Sequence, residues 1–308
     1  MSVIGIDTSN YTTSIAYFDG VSGVNCSRLL PVKPGELGLR QSDAVFAHTK
    51  SLPDLSGRLF SNAEVDKITA VGVSTRPRAV EGSYMPCFMV GYSHAKLLSD
   101  ALGVPLVEVS HQQGHVAASL WSTGHLELMD EPHLAWHLSG GTTELLLVEP
   151  EGKNVKCTKI GGTTDISAGQ LIDRTGVMLD LPFPAGKHVD ALSKEATMKE
   201  TFKVKCPGME FSLSGVQNKV QQFHQKNGVP AETAAFALRC VASAVYQATQ
   251  NALKAYSGLK VVFSGGVASN SMLREVIAPL NPIFCEPQYS TDNAMGVAVL
   301  THRYTQEG

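Results

Sequence analysis

The feature that most constrains this chain is a strand–turn–strand pattern that occurs twice, about 130 residues apart. The first copy runs Val3-Ile4-Gly5-Ile6-Asp7-Thr8-Ser9 and turns into Thr13-Ser14-Ile15-Ala16-Tyr17-Phe18. The second runs Leu134-Ala135-Trp136-His137-Leu138-Ser139-Gly140-Gly141 and turns into Thr142-Thr143-Glu144-Leu145-Leu146-Leu147-Val148. Each predicts a β-hairpin with a small, hydroxyl-rich tip. Such a tip leaves backbone N–H groups uncovered and able to cradle phosphate oxygens. Gly and Thr are ordinary turn residues, so the pair alone also fits two unrelated hairpins. A third element favours duplication. Lys260-Val261-Val262-Phe263 reads as a buried strand, and Ser264-Gly265-Gly266-Val267-Ala268-Ser269-Asn270 leads into a helix from Ser271 carrying Met272, Leu273, Val276 and Ile277. Glycines between a strand and a helix N-terminus permit close approach of a nucleotide, where ligands gather in α/β folds.

The repeat places a boundary near 122–133, giving a first lobe over 1–125 and a second over 126–308, with the last helix packing back on the first. The 308 residues, 43% hydrophobic and 17% charged, suffice for two lobes of roughly 150 residues. A net charge of -3 gives no general basic field, so a nucleic acid would have to meet a local patch or a basic partner. The six cysteines lie far apart without a CxxC pair, which argues against a zinc ribbon or disulfide scaffold and for reduced core thiols. MSVIGIDTSN has no leader pattern, and no stretch reaches the roughly 18 apolar residues of a membrane span, so a cytoplasmic protein without membrane partners is expected. Helical spacing over 231–256 (Ala237, Val241, Ala244, Val245, Ala248, Ala252) predicts a core helix with Gly258 as C-cap. A second helix is expected over 86–102, ending at Gly103 before the strand Leu106-Val107-Glu108-Val109, and an irregular loop over 29–38.

After that strand comes Ser110-His111-Gln112-Gln113-Gly114-His115. On a helix, histidines four apart share a face at a separation one metal ion can bridge. Without context, two satisfied or exposed histidines are the plainer explanation of the spacing. Asp292, in Ser290-Thr291-Asp292-Asn293, is the candidate third ligand, placed where a final helix (Val297, Ala298, Val299, Leu300) begins; its plainer role there is helix N-capping. Two histidines and a carboxylate suit Fe(II), with zinc, magnesium or another divalent ion as alternatives.

Seven segments in order resemble the family of tRNA N6-adenosine threonylcarbamoyltransferases, long described as glycoproteases, over nearly the whole chain: GIDTS, HQQGH, LSGGTTE, Ala168-Gly169 through Asp173 with Leu179 to Gly186, FSLSG at 211–215, SGGVASN at 264–270 and STDN at 290–293. The resemblance implies an α/β, two-lobed actin-like fold of ribonuclease H-like lobes, with duplicated mixed sheets flanked by helices. It implies a metal on His111, His115 and Asp292, and threonylcarbamoyl adenylate, or ATP or AMP, between the lobes. By motif match the nucleotide falls to His137, Leu138, Ser139, Gly140, Gly141, Asp173, Gly186, Asp190 and Asn270, and the first tip (Asp7, Thr8, Ser9) to phosphate. The residues also admit plainer roles: an Asp173–Arg174 surface pair, a turn glycine at Gly186, a helix cap at Asn270. The implied reaction is attack of the tRNA adenosine amine on the carbamoyl carbon with departure of AMP and no protein nucleophile. The implied partners are tRNA, the synthase that makes the adenylate, a paralogous actin-like subunit, for which helix 86–102 is a candidate docking face, and a small ATPase.

The chain departs from the family at three places. Asn10-Tyr11-Thr12 stands where an acidic pair is usual, Thr142 replaces the histidine of SGGH, and Arg76-Pro77-Arg78 replaces a GPG turn. The first loss removes charge that could activate an amine. A divergent paralogue with another acceptor, or a non-catalytic nucleotide-binding subunit, is therefore the alternative. A kinase would need a general-base Asp and sugar pocket that the sequence does not display. A peptidase is set aside because HQQGH lacks the Glu of HExxH.

Overall fold

A computed structural model of the chain describes residues 1–9, 11–31, 39–62 and 68–306. In chain order the strands and α-helices are β1 (Ser2–Ser9), β2 (Thr12–Phe18), β3 (Gly23–Leu29), α1 (Gln41–Asn62), β4 (Ile68–Arg76), α2 (Phe88–Leu102), β5 (Leu106–Ser110), α3 (His111–Ser122), β6 (His133–Leu138), β7 (Thr143–Glu151), β8 (Asn154–Thr163), α4 (Ala168–Met178), α5 (Gly186–Ser193), β9 (Glu210–Phe211), α6 (Ser214–Asn227), α7 (Pro230–Ala255), β10 (Val261–Ser264), α8 (Ser271–Ile277), β11 (Ile283–Phe284) and α9 (Met295–Thr305).

Both expected hairpins form. β1 and β2 pair antiparallel with Ser9 opposite Thr12, and β6 and β7 pair antiparallel with Leu138 opposite Thr143. The duplication extends to the sheets. The first has the order β3-β2-β1-β4-β5 and the second β11-β10-β6-β7-β8-β9. In each, the first hairpin strand has its partner antiparallel on one side and a parallel pair on the other: β4 and β5 beside β1, β10 and β11 beside β6. A strand buried on both faces reads as a continuous apolar run rather than an alternation, as Val3-Ile4-Gly5-Ile6 of β1 does before the buried polar Asp7-Thr8-Ser9. Two mixed sheets flanked by helices are the result.

The chain divides into two compact units, one of Met1–Glu131, Glu149–Cys157 and Asp292–Gly308, the other of Pro132–Val148 and Thr158–Thr291. In the first, Ile4, Ile6, Ile15, Val71 and Val73 of the sheet bury against Leu52, Leu55 and Leu59 of α1 and Ala95 of α2. α9 packs against β1, β4 and α3. In the second, Leu134, Trp136, Leu138 and Leu145 bury against α4 and against the predicted face of α7, Ala237, Val241, Ala244, Val245, Ala248 and Ala252. The Trp136 indole N–H donates to Thr249 Oγ1 at 2.9 Å, so this large buried ring leaves no unmet donor.

Three local expectations are corrected. α7 is capped by Tyr256 rather than Gly258, which takes its left-handed φ of 82° in the turn that follows. Leu29 closes the edge strand β3, so the 29–38 segment is not irregular at its start, and 32–38 lie outside the described residues. The helix expected over 86–102 begins at Phe88; Gly103 caps it with φ 65°. None of the six cysteines is in a disulfide, and no described helix is long and apolar enough to cross a membrane.

The crossing of α3 and α9 depends on absent side chains. A Cβ on Gly296 would collide with the carbonyl of Gly114, whereas one on Gly186 would meet open space. Gly296→Ala should therefore cost about 3 kcal/mol in denaturant unfolding, and Gly186→Ala less than about 0.5 kcal/mol.

Candidate functional site

The site in the first unit is built from the end of β5. Ser110 caps α3 through a reciprocal box: its hydroxyl accepts from Gln113 N–H at 3.2 Å, and Gln113 Oε1 accepts from Ser110 N–H at 2.9 Å. Gln113 Nε2 also donates to the Val155 carbonyl at 2.8 Å, which pins the first turn. His111 thus opens the helix and His115 follows one turn later, their ring centroids 4.4 Å apart. Their Nε2 atoms face each other at 3.0 Å, and Asp292 Oδ1 lies 3.4 Å from the first and 3.2 Å from the second.

Asp292 is not a helix cap. α9 begins at Met295 and its cap position is Ala294, while Asn293 Oδ1 accepts from Met295 N–H at 3.0 Å. Asn25 of β3 holds the same segment by accepting from Ala294 N–H at 3.0 Å. The Asp292 carboxylate is consequently free of backbone duty and meets the histidines.

Behind them lies Asp7, completely buried. Its Oδ1 faces His111 Nδ1 at 3.1 Å and accepts from the Ser74 hydroxyl; its Oδ2 accepts from Ser9 Oγ at 2.8 Å. A carboxylate on Nδ1 fixes the ring and turns the Nε2 lone pair toward the cluster. Burial on its own would push the His111 imidazole down, but the charges of Asp7 and Asp292 and their hydrogen bonds outweigh it and push it up to about 10. Burial likewise opposes ionisation of Asp7 and Asp292, yet His111 holds the first below its ordinary value and both histidines hold the second well below.

The three side chains form a group able to hold a metal ion, with ligand atoms within 4.8 Å of one another. Ligands bound at about 2.1 Å in tetrahedral or octahedral arrangement stand roughly 3.0–3.4 Å apart, the separation that these atoms already have. A carboxylate-backed histidine within a two-histidine, one-carboxylate set fits a transition ion. Sequence reasoning assigned Asp7 to the phosphate tip and missed this supporting position; the legible signal was a carboxylate inside an otherwise apolar strand.

The rest of the first tip is also spent internally. Thr8 Oγ1 donates to the Cys87 carbonyl at 2.9 Å and accepts from Gly91 N–H at 3.0 Å, and Thr8 and Ser9 are buried. Asn10 lies outside the described residues.

In the second unit, Ser139 N–H donates to the Thr142 carbonyl at 2.8 Å, closing a turn whose Gly140 and Gly141 are exposed. α4 is tied to this turn, because Ser167 Oγ donates to Gly140 O at 2.6 Å and Ala168 N–H to Thr143 Oγ1 at 2.8 Å. His137 lies in register with Glu144 of β7 and Ser264 of β10. Gly265, at φ 92°, backs onto buried Leu138, whose carbonyl a Cβ there would strike.

Asp173 accepts from Ala185 N–H at 2.9 Å, and burial pushes its carboxyl up despite that bond. The expected surface pair with Arg174 is absent among the described residues; Arg174 donates to Gln217 at 2.6 Å. Asn270 does cap α8, accepting from Leu273 N–H at 3.0 Å, and its Nδ2 donates to Asp190 Oδ1 at 2.7 Å. Asp190 Oδ1 also accepts from Ser271 N–H at 3.0 Å and Oγ at 2.8 Å. The structure therefore joins Asp190 to Asn270, and Asp173 to the residue before Gly186. Sequence reasoning missed Asp165, which accepts from Ser212 and Ser214 hydroxyls at 2.5 Å and from Leu213 N–H at 2.8 Å. Burial opposes its charge, but these bonds bring its carboxyl down to about 2. They explain the two serines of FSLSG.

A family model for tRNA N6-adenosine threonylcarbamoyltransferase matches residues 37–299. The chain is 33% identical to the tRNA N6-adenosine threonylcarbamoyltransferase of Carboxydothermus hydrogenoformans over 98% of this chain and 92% of that protein. With the enzyme of the same description from Thermosipho africanus it shares 31% identity over 100% of this chain and 96% of the other. Among solved structures, full-length HypF in its phosphate- and nucleotide-bound form is similar at a TM-score of 0.65 and 14% identity, covering 99% of this chain and 47% of that one. The ROK hexokinase of Thermus thermophilus is similar at a TM-score of 0.53 and 15% identity over 100% of both chains. These likenesses place the duplicated sheets in the actin-like fold.

Changing both His111 and His115 to Ala should abolish stoichiometric divalent metal, read by elemental analysis, while circular dichroism stays that of the wild type. Asp7→Asn should retain the site but weaken metal affinity by about 10- to 100-fold, measured by competition with a chelator.

Proposed function

Because this chain belongs to the tRNA N6-adenosine threonylcarbamoyltransferase family, we propose that it transfers a threonylcarbamoyl group from threonylcarbamoyl adenylate to N6 of an adenosine in tRNA. The observation that carries this reading is the group His111, His115 and Asp292 with the buried Asp7 behind it, at the positions where the family's metal motif falls.

In this reading His111, His115 and Asp292 hold one divalent ion, Fe(II) ahead of zinc because two histidines and one carboxylate form an open facial set, and magnesium last because it prefers oxygen. When bound, the ion supplies positive charge toward an anionic phosphate. Asp7 keeps the His111 ring oriented. The exposed turn Ser139, Gly140 and Gly141 presents backbone amides to the adenylate, with His137 and Leu138 forming its base. Asp173, Gly186, Asp190 and Asn270 are assigned to the nucleoside. The adenosine amine attacks the carbamoyl carbon, the bond from that carbon to the phosphate oxygen breaks, the amine proton is lost, and AMP departs. No side chain forms a covalent intermediate. The partners would be tRNA, a threonylcarbamoyl adenylate synthase, a paralogous actin-like subunit and a small ATPase, all in the cytoplasm.

One observation favours a second reading, a divergent paralogue with another acceptor or a nucleotide-binding subunit. After the first tip, Thr12 and Thr13 are buried and Thr13 Oγ1 is held by His48 Nδ1 at 2.8 Å. No carboxylate stands in Asn10-Tyr11-Thr12 to take the amine proton.

The deciding experiment is mass spectrometry of unmodified tRNA after incubation with the chain, threonylcarbamoyl adenylate, a divalent ion and the candidate partner proteins. Threonylcarbamoyladenosine should appear with the wild type and be absent both without the chain and with the His111/His115 double variant. Binding of the adenylate without product would leave the second reading.

A further inference from the structure

Among the departures from the family pattern, Arg76 stands at a place that the metal centre itself defines. It ends β4, opposite Ser110 in the β4–β5 register, and Ser110 is the residue before His111. Two residues earlier, Ser74 donates to Asp7, the carboxylate that faces His111. One residue later, the Pro77 carbonyl accepts from Gln112 N–H at 3.0 Å, in the first turn of α3. Arg76 is thus bracketed on both sides by groups that fix His111. It is only half-exposed, and among the described residues its guanidinium makes no hydrogen bond and no ion pair.

Arginine stays charged at any ordinary pH and carries five N–H donors in a planar fork. A guanidinium with no counter-charge among the described residues keeps its donors available, and a bidentate oxyanion is the partner that its geometry fits. The carboxylates of the neighbouring cluster are not available for this, since Asp7 is taken by His111, Ser74 and Ser9, and Asp292 by the two histidines. Among the described residues no carboxylate pairs with Arg76, which leaves its fork open to an anion from outside the chain.

We propose that Arg76 is a binding residue for an oxyanion of the acyl-adenylate, a phosphate or a carboxylate, at the rim of the metal centre. The inference rests on the adenylate reading given above. It also gives the replacement of a glycine-rich turn by Arg76-Pro77-Arg78 a chemical role: the proline fixes the backbone where the cation leaves it.

The test is equilibrium binding of AMP, adenosine and N-carbamoyl-threonine to the full chain, to Arg76→Ala and to Arg76→Lys, with metal content and thermal melting measured on each. If Arg76 meets the phosphate, Arg76→Ala should weaken AMP by about tenfold or more and leave adenosine unchanged. If it meets the carboxylate, N-carbamoyl-threonine should weaken by a similar factor and AMP should not. Either result supports the inference when Arg76→Lys recovers part of the loss and metal content is unaltered. Equal affinities in wild type and Arg76→Ala overturn it and leave the adenylate reading standing. A loss confined to salt-dependent tRNA affinity also overturns it, by placing the guanidinium on RNA. If the wild type binds none of the three, the adenylate reading itself fails and the inference falls with it.

Discussion

The close crossing of α3 and α9 is the contact on which the candidate metal site depends. It joins residues 111–122 to residues 295–305, and it exists because Gly114 and Gly296 meet backbone to backbone. With that crossing set, Asp292 enters three residues ahead of α9 and arrives at the two histidines. The final helix is therefore structural scaffolding for the site although it contributes no ligand itself.

Electrostatics then determine what the cluster can accept. Two carboxylates and two imidazoles share a small, largely buried space; burial opposes the charge of each carboxylate, and the facing imidazoles, with the Ser74 hydroxyl on Asp7, hold it below its ordinary value. A divalent cation resolves the same charges by replacing protons, which makes metal affinity rise as protons leave the histidines. Asp7 stands apart from the ligands in function. It is invisible to solvent, yet it orients the ring that a bound cation would use.

The second unit uses another device. Its family motifs are connected by side-chain hydrogen bonds, mostly to backbone: Ser167 and Thr143 clamp the Ser139–Thr142 turn, Asp173 holds the start of α5, and Asp190 gathers the cap of α8. Such bonds fix loop backbones with little dependence on salt. The Gly140 carbonyl accepts from the Ser167 hydroxyl, and the exposed Gly141 carries none of these bonds.

The sequence by itself determined the duplicated hairpins, the strand and helix after Lys260, the core face of α7, and the HxxxH pair on one helical face, because all of these rest on local periodicity and turn chemistry. It also carried the family, through motif order. The pairing of Asp292 with the histidines, its release from capping, and the place of Asp7 behind His111 were decided only by tertiary structure. Those positions are separated by 104 and 177 residues along the chain, and no local pattern encodes a contact made by two helices crossing at bare glycines. The same holds for Arg76, where the sequence showed a charge replacing a glycine-rich turn, and the β4–β5 register places it opposite Ser110, the residue before His111.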